Sequence, residues 1–95
     1  MIGQWRKIKI AADTVICNAP CKVRSIQLYH TAATTADIYD EASDSKTAGK
    51  LVWTLGNSTT VFHDFIDFGP EGQAFDEGLF IDHNDGMVLV QFLHL

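Results

Sequence analysis

The sequence predicts an all-β fold: an antiparallel β-sandwich, jelly-roll-like, of about eight strands. Three observations predict it. Apolar and polar residues alternate with a period of two in short runs rich in Val, Ile, Phe and Thr. Turn-forming clusters (Asn18-Ala19-Pro20, Gly69-Pro70-Glu71-Gly72, Asn84-Asp85-Gly86) separate the runs at the spacing of a sandwich. Windows with helical periodicity are nearly absent, and no internal repeat or low-complexity segment interrupts the pattern.

Residues 3–11 read as a first strand, with Ile8 and Ile10 on one face and Trp5, Lys7 and Lys9 on the other. Residues 13–17 form a short second strand, stopped where Pro20 cannot donate to a ladder. Residues 22–30 are the third, carrying Val23, Ile26 and Leu28; small turn-tolerant residues follow, and residues 36–40 resume the alternation. The pair is a hairpin or a connection between sheets. Residues 41–49 read as an exposed acidic loop. In residues 51–55, Leu51, Trp53 and Leu55 share a face, placing Trp53 in the core, and Gly56-Asn57 signals a turn. Residues 59–68 read as the longest aromatic strand, and residues 78–82 and 87–95 close the fold.

A chain of 95 residues has room for one domain, residues 1–95, with a small core that an oligomer or a staple would help. The net charge of −5 argues against a nucleic-acid partner, which needs a basic face. That charge is unevenly spread. Residues 1–24 carry five cations against Asp13 alone, a net of +4, whereas residues 25–95 carry two cations against eleven carboxylates, a net of −9. Arg6, Lys7 and Lys9 are therefore docking candidates, set against the plainer reading that they are solvated. No apolar run is long enough to span a bilayer, and residues 1–6 lack the apolar core of a targeting segment, so a soluble chain made in the cytosol is expected. Cys17 and Cys21 are close enough to bridge across a turn, but in a reducing cytosol two free thiols near a strand end are expected.

No reaction is legible. His63 and Asp64 are neighbours on a strand, so they point to opposite faces and form no dyad; His63 shares its face with Phe65 and Asp67 and reads as structural. Zinc would need a second ligand pair, which the scattered His30, His63, His83 and His94 do not supply. The stretch Asp82-His83-Asn84-Asp85-Gly86 only faintly resembles a calcium loop, because its glycine is one place early and no glutamate closes it; a hairpin turn fits better. Asp37, Asp40 and Glu41 alternate in direction and open into a loop, which suits solubility rather than a carboxylate pair. Neither enzyme activity nor a cofactor is expected.

The order of parts carries a resemblance: Pro20, Cys21, Val23, Ile26 and Leu28 in a P-C-x-V-x-x-I-x-L stretch, then Ala36-Asp37-Ile38-Tyr39-Asp40, then Gly78-Leu79-Phe80-Ile81. It resembles small β-sandwich virion proteins of tailed bacteriophages, most of all capsid decoration (cement) proteins, over residues 13–92. The resemblance implies a structural protein on the outside of the phage head, assembled in the host cytoplasm, trimeric, and bridging subunits of the major capsid protein. The alternative is a carbohydrate- or receptor-binding sandwich, for example on a phage tail or fibre; Trp5, Trp53 and Tyr39 are its candidate rings.

Self-association is expected from the pattern itself. Met87, Leu89, Leu93 and Leu95 oppose Val88, Val90 and Phe92, and Phe62, Ile66 and Phe68 oppose Val61 and Phe65. A two-layer sandwich buries only one face of each strand. Leu89, Leu93, Leu95, Phe62 and Ile66 are accordingly the subunit-interface candidates.

Overall fold

Residues 5–30, 34–57, 63–83 and 86–95 are described by a computed structural model. Nine strands occur among them: β1 (Arg6–Ile10), β2 (Thr14–Cys17), β3 (Cys21–Tyr29), β4 (Thr34–Tyr39), β5 (Leu51–Asn57), β6 (His63–Asp67), β7 (Gln73–Phe75), β8 (Leu79–His83) and β9 (Met87–His94). The only helical element among these residues is a single 3₁₀ turn, Ala48–Lys50.

Every pairing is antiparallel, in two sheets that pack face to face. One has the order β1-β9-β3-β6 and the other β2-β8-β4-β5, with β7 added along β3. Without β7, the pairs β1·β9, β2·β8, β3·β6 and β4·β5 describe a long two-ranked ribbon, closed between β4 and β5 and wound so that successive pairs fall in opposite sheets. That winding is a jelly roll. It also settles the connection after β3: β3 and β4 lie in different sheets, so the chain crosses between layers there rather than turning back as a hairpin.

Alternation decides which residues fill the space between the layers. Rows of directly paired residues point inward together, among them Ile8–Val90–Ile26–Ile66 in the first sheet and Ile81–Ile38 in the second. Val23, Ile26, Leu28, Ile38, Leu55, Leu79, Ile81, Val88 and Val90 are fully buried. The spacing of Val23 and Ile26 breaks the period of two, and a β-bulge between Val23 and Ser25 restores it.

Several boundaries differ from the sequence reading. The strand after the long loop continues through Gly56 and Asn57, which pair with Thr35 and Thr34, two residues beyond the expected end. Of the aromatic strand expected over residues 59–68, the described residues contain β6, His63–Asp67. Residues 58–62 lie outside the described residues, as does the expected role of Phe62. β7 escaped notice because three residues are too few to display a period. Trp53 lies opposite buried Ile38, yet it is 52% exposed, because β5 is the edge of its sheet. The Gly69–Gly72 turn forms as expected, closed by a 3.1 Å bond from the Gly72 N–H to the Gly69 carbonyl, with both glycines at positive φ.

The acidic residues after β4 hold the structure together rather than merely solubilising it. Asp40 Oδ1 accepts from the N–H groups of Glu77 (2.8 Å) and Gly78 (3.3 Å), and Oδ2 accepts from Asp76 (3.0 Å). Glu41 is buried and accepts from the Thr47 hydroxyl at 2.6 Å and the Thr47 N–H at 3.2 Å. Gly78 leaves no room for a side chain, since a Cβ would overlap the Cys17 carbonyl oxygen and stand 2.9 Å from Ala42 Cα. Gly78→Ala should therefore cost about 1–3 kcal/mol through overpacking. Asp40→Ala should cost about 1.5–3 kcal/mol as charge-assisted bonds are lost. Urea unfolding would measure both, and unchanged midpoints would contradict this account of the corner.

Candidate functional site

The two outer faces of the sandwich are treated differently by the chain. On the β2-β8-β4-β5 sheet, Val15, Phe80, Tyr39 and Leu51 form one row of paired residues pointing outward. Phe80 and Tyr39 are nonetheless buried, with ring centroids 5.7 Å apart. Their cover is the segment 41–50, which reaches across the face: Lys46 Nζ lies 3.4 Å from Asp82 and 3.5 Å from Asp13. Lys46 itself has a positive φ of 56°. Lys50 pairs with Glu77 at the other end of the segment.

Charge coupling is strongest where the segment lands. Asp82 is raised above its ordinary value by burial and by its hydrogen bond to Asp13, against the pull of Lys46. Burial also works to raise Asp13, but hydrogen bonds from Asp82 and the His83 amide, together with Lys46, outweigh it and leave it lowered. Lys46 is raised, chiefly by the charge of Asp82. Burial, then Asp37 and Asp82, push the Tyr39 hydroxyl upward, so it stays protonated.

The outer face of the β1-β9-β3-β6 sheet has no such cover among the described residues except at the end beside β7, where Leu93, paired with Lys22, is buried. Its side chains fall in rows of directly paired residues. Lys7, Gln91, Ser25 and Asp67 make the first; Lys9, Leu89, Gln27 and Phe65 the second; Met87, Tyr29 and His63 the third. Phe65 is 57% exposed, Tyr29 55% and Met87 42%. His63 stacks on Phe65 at 5.5 Å, lies 6.1 Å from Tyr29, and donates from Nε2 to Gln27 Oε1 at 3.2 Å. A shallow groove of about 490 Å³ runs between Lys9, Leu89, Met87, Tyr29, Gln27 and His63. This face, basic along β1, apolar in the centre and acidic at Asp67, is the candidate site.

The expected interface residues divide. Leu89 lies on this face half-buried, and Leu95 is 70% exposed at the chain's end. Leu93 is already buried within the chain. Ile66 points the other way, packed against the core, because its register partner is the inward-facing Ile26. Phe65 takes the outward place instead. Arg6, Lys7 and Lys9 are exposed on the edge strand β1, and none forms an ion pair among the described residues. Charges on an edge also deter stray strand pairing. The rings weighed for a sugar site are scattered: Trp5 lies 3.9 Å from the Arg24 guanidinium and against Gly72, Tyr39 is buried, and Trp53 is on the other sheet.

His63 and Asp64 do face opposite ways; Asp64 instead accepts from the Gly56 N–H at 2.9 Å, tying β6 to β5. Asp82 and His83 belong to β8, and the rest of that faint calcium pattern, Asn84-Asp85, lies outside the described residues. His83 is buried with neither ring nitrogen hydrogen-bonded among the described residues. No group of three or more His, Cys, Asp or Glu among them is arranged to hold a metal ion. No helix among them is long and apolar enough to cross a membrane. Cys17 and Cys21 are free and buried on either side of the turn between sheets. Their mutual hydrogen bond, with burial added, raises Cys21, while the same bond outweighs burial and lowers Cys17. In comparisons with protein-family models, curated proteins and solved structures, nothing matches this chain.

Two outcomes are expected here. Asp13, lowered by folding, contributes stability that is present above its ordinary value of 3.8 and lost as pH falls through its folded value. Asp82, raised, behaves oppositely and loses its contribution as pH rises through its folded value. Lys46 offsets the repulsion once both ionise, so Lys46→Met should destabilise the protein more at about pH 7 than at about pH 3, where the raised Asp82 holds its proton. Equal losses of denaturation midpoint at both pH values would contradict this. Thiol labelling should be slow in the native protein and fast for both cysteines in urea, because burial keeps the reagent out; rapid native labelling would contradict the packing at that corner.

Proposed function

We propose that this chain is a structural virion protein, a capsid decoration protein that associates with copies of itself and seats on a phage head, bridging subunits of the major capsid protein. The observation carrying this reading is the asymmetry of the faces: the segment 41–50 covers one, while the other leaves Tyr29, Phe65 and Met87 in solvent. Exposed aromatic and methionine side chains grouped on one surface suit contact with protein, as does the rim of charge around them. The count of three copies and the capsid as partner come from the resemblance in sequence pattern. The exposed β1 cations Arg6, Lys7 and Lys9 are the docking candidates toward an acidic shell.

A second reading has its own support. Tyr29, His63 and Phe65 adjoin one another beside Gln27 and the groove, an arrangement a flat sugar ring could use. That would make the chain a carbohydrate- or receptor-binding module of a tail or fibre.

Purified chain mixed with empty phage-head shells of major capsid protein and sedimented tests the first reading. It should pellet with the shells at a fixed ratio and be released as salt rises, since screening weakens charge-guided docking. Failure to pellet, together with chemical-shift changes at Tyr29 and Phe65 on adding oligosaccharide, would favour the second.

A further inference from the structure

We propose that the open face of the β1-β9-β3-β6 sheet binds the same face of a second copy about a two-fold axis parallel to the strands, between β9 and β3. This inference rests on the self-association part of the function proposed above and assigns Lys7 and Lys9 to the partner copy rather than to the shell. Arg6, paired with Phe92 and so on the other side of β1, remains for the shell.

The strand order and the register carry the argument. Turning the sheet over by half a turn about that axis lays β1 over β6 and β9 over β3 and keeps each row at its own height. Each row then meets itself reversed. In the first row, Lys7 of one copy meets Asp67 of the other, and Gln91 meets Ser25, a cation against a carboxylate and an amide against a hydroxyl. In the second, Lys9 meets the exposed face of Phe65, a cation on an aromatic ring, and Leu89 meets the stem of Gln27. In the third, Met87 meets Tyr29, thioether on ring.

Turning the face the other way, about an axis across the strands, lays β1 over β1 and brings cations onto cations. The charges thus choose between the two arrangements, as an isologous contact requires. Sheets stacked face to face run within about 30° of each other, and the long Lys7 and Lys9 side chains absorb that rotation at the edges. The same contact covers Phe65, Tyr29 and Met87, which nothing else among the described residues covers. The count of three rested on the resemblance alone; these rows favour two.

Light scattering on the full chain at micromolar concentration should give the mass of a dimer. Lys7→Asp and Asp67→Lys should each weaken the dimer about tenfold or more, by placing like charges together at two symmetric points. An equimolar mixture of the two variants should restore a mixed dimer, since both contacts are then between opposite charges. Asp67 also accepts from the Gly69 N–H at 2.7 Å, so its variant loses a local bond as well. A Lys9→Cys, Phe65→Cys chain covers that case: its new thiols stand about 14 Å apart within one chain, across three strand spacings, whereas the two-fold brings them to about the 10 Å separation of stacked sheets between copies. That is beyond a disulfide but within reach of a short bismaleimide, which should yield a covalent dimer on a denaturing gel.

A trimer would overturn the two-fold and leave self-association standing; a monomer would overturn both. A dimer indifferent to the charge changes and not cross-linked would place the contact on another face. Shell binding by a chain that is not a dimer would separate failure of this inference from failure of the proposed function.

Discussion

A two-layer sandwich buries only one side of each sheet, and the arrangement of this chain follows from that constraint. The inward rows, Ile8–Val90–Ile26–Ile66 and Ile81–Ile38 among them, fill the space between the layers and fix the register of every strand. What remains is how the apolar side chains on the outer faces are kept from water. The two sheets meet that requirement in different ways, and the difference is the main clue to how the protein acts.

On the β2-β8-β4-β5 sheet the solution lies within the chain. Phe80 and Tyr39 are buried under the segment 41–50, which is anchored by Glu41 on Thr47, by Lys46 on Asp13 and Asp82, and by Lys50 on Glu77. Asp40 fixes the root of that segment by gathering three N–H groups from residues 76–78 beside Gly78. Exposed ion pairs contribute little singly. Here they position a cover whose gain comes from the aromatic surface beneath it. The β1-β9-β3-β6 sheet has no equivalent over its three central rows; the first runs from Lys7 through Gln91 and Ser25 to Asp67 and the second from Lys9 through Leu89 and Gln27 to Phe65, so that each reversed sets a cation against a carboxylate or an aromatic ring.

Much of the fold was legible because alternation is a local signal. Val88, Val90 and Phe92 declared their face, and the irregular spacing of Val23 and Ile26 contained the bulge that the structure displays. Phe65 and Ile66 were exchanged because both sides of their strand are apolar; only pairing of Ile66 with Ile26 decides which side turns inward. Trp53 was misplaced for a related reason, since alternation gives the side of a sheet but not whether the strand lies at its edge. Asp40 and Glu41 looked like loop solubility because their partners at residues 76–78 and Thr47 return only through the fold. The self-complementarity of the open face was also hidden in sequence, since its rows combine four strands whose order, β1-β9-β3-β6, no local pattern encodes.

The central claim is that this open face meets itself. Nuclear Overhauser contacts recorded on a mixture of isotope-labelled and unlabelled chains, filtered to keep only those between copies, test it most directly. Lys9 and Phe65 lie at opposite edges of one sheet, about three strand spacings apart, and so have no contact within a chain. The account predicts contacts between copies from the Lys9 methylenes to the Phe65 ring and from the Met87 methyl to the Tyr29 ring. Contacts between copies confined to Val15, Leu51 and the segment 41–50, with the Phe65 ring left in solvent, would contradict it.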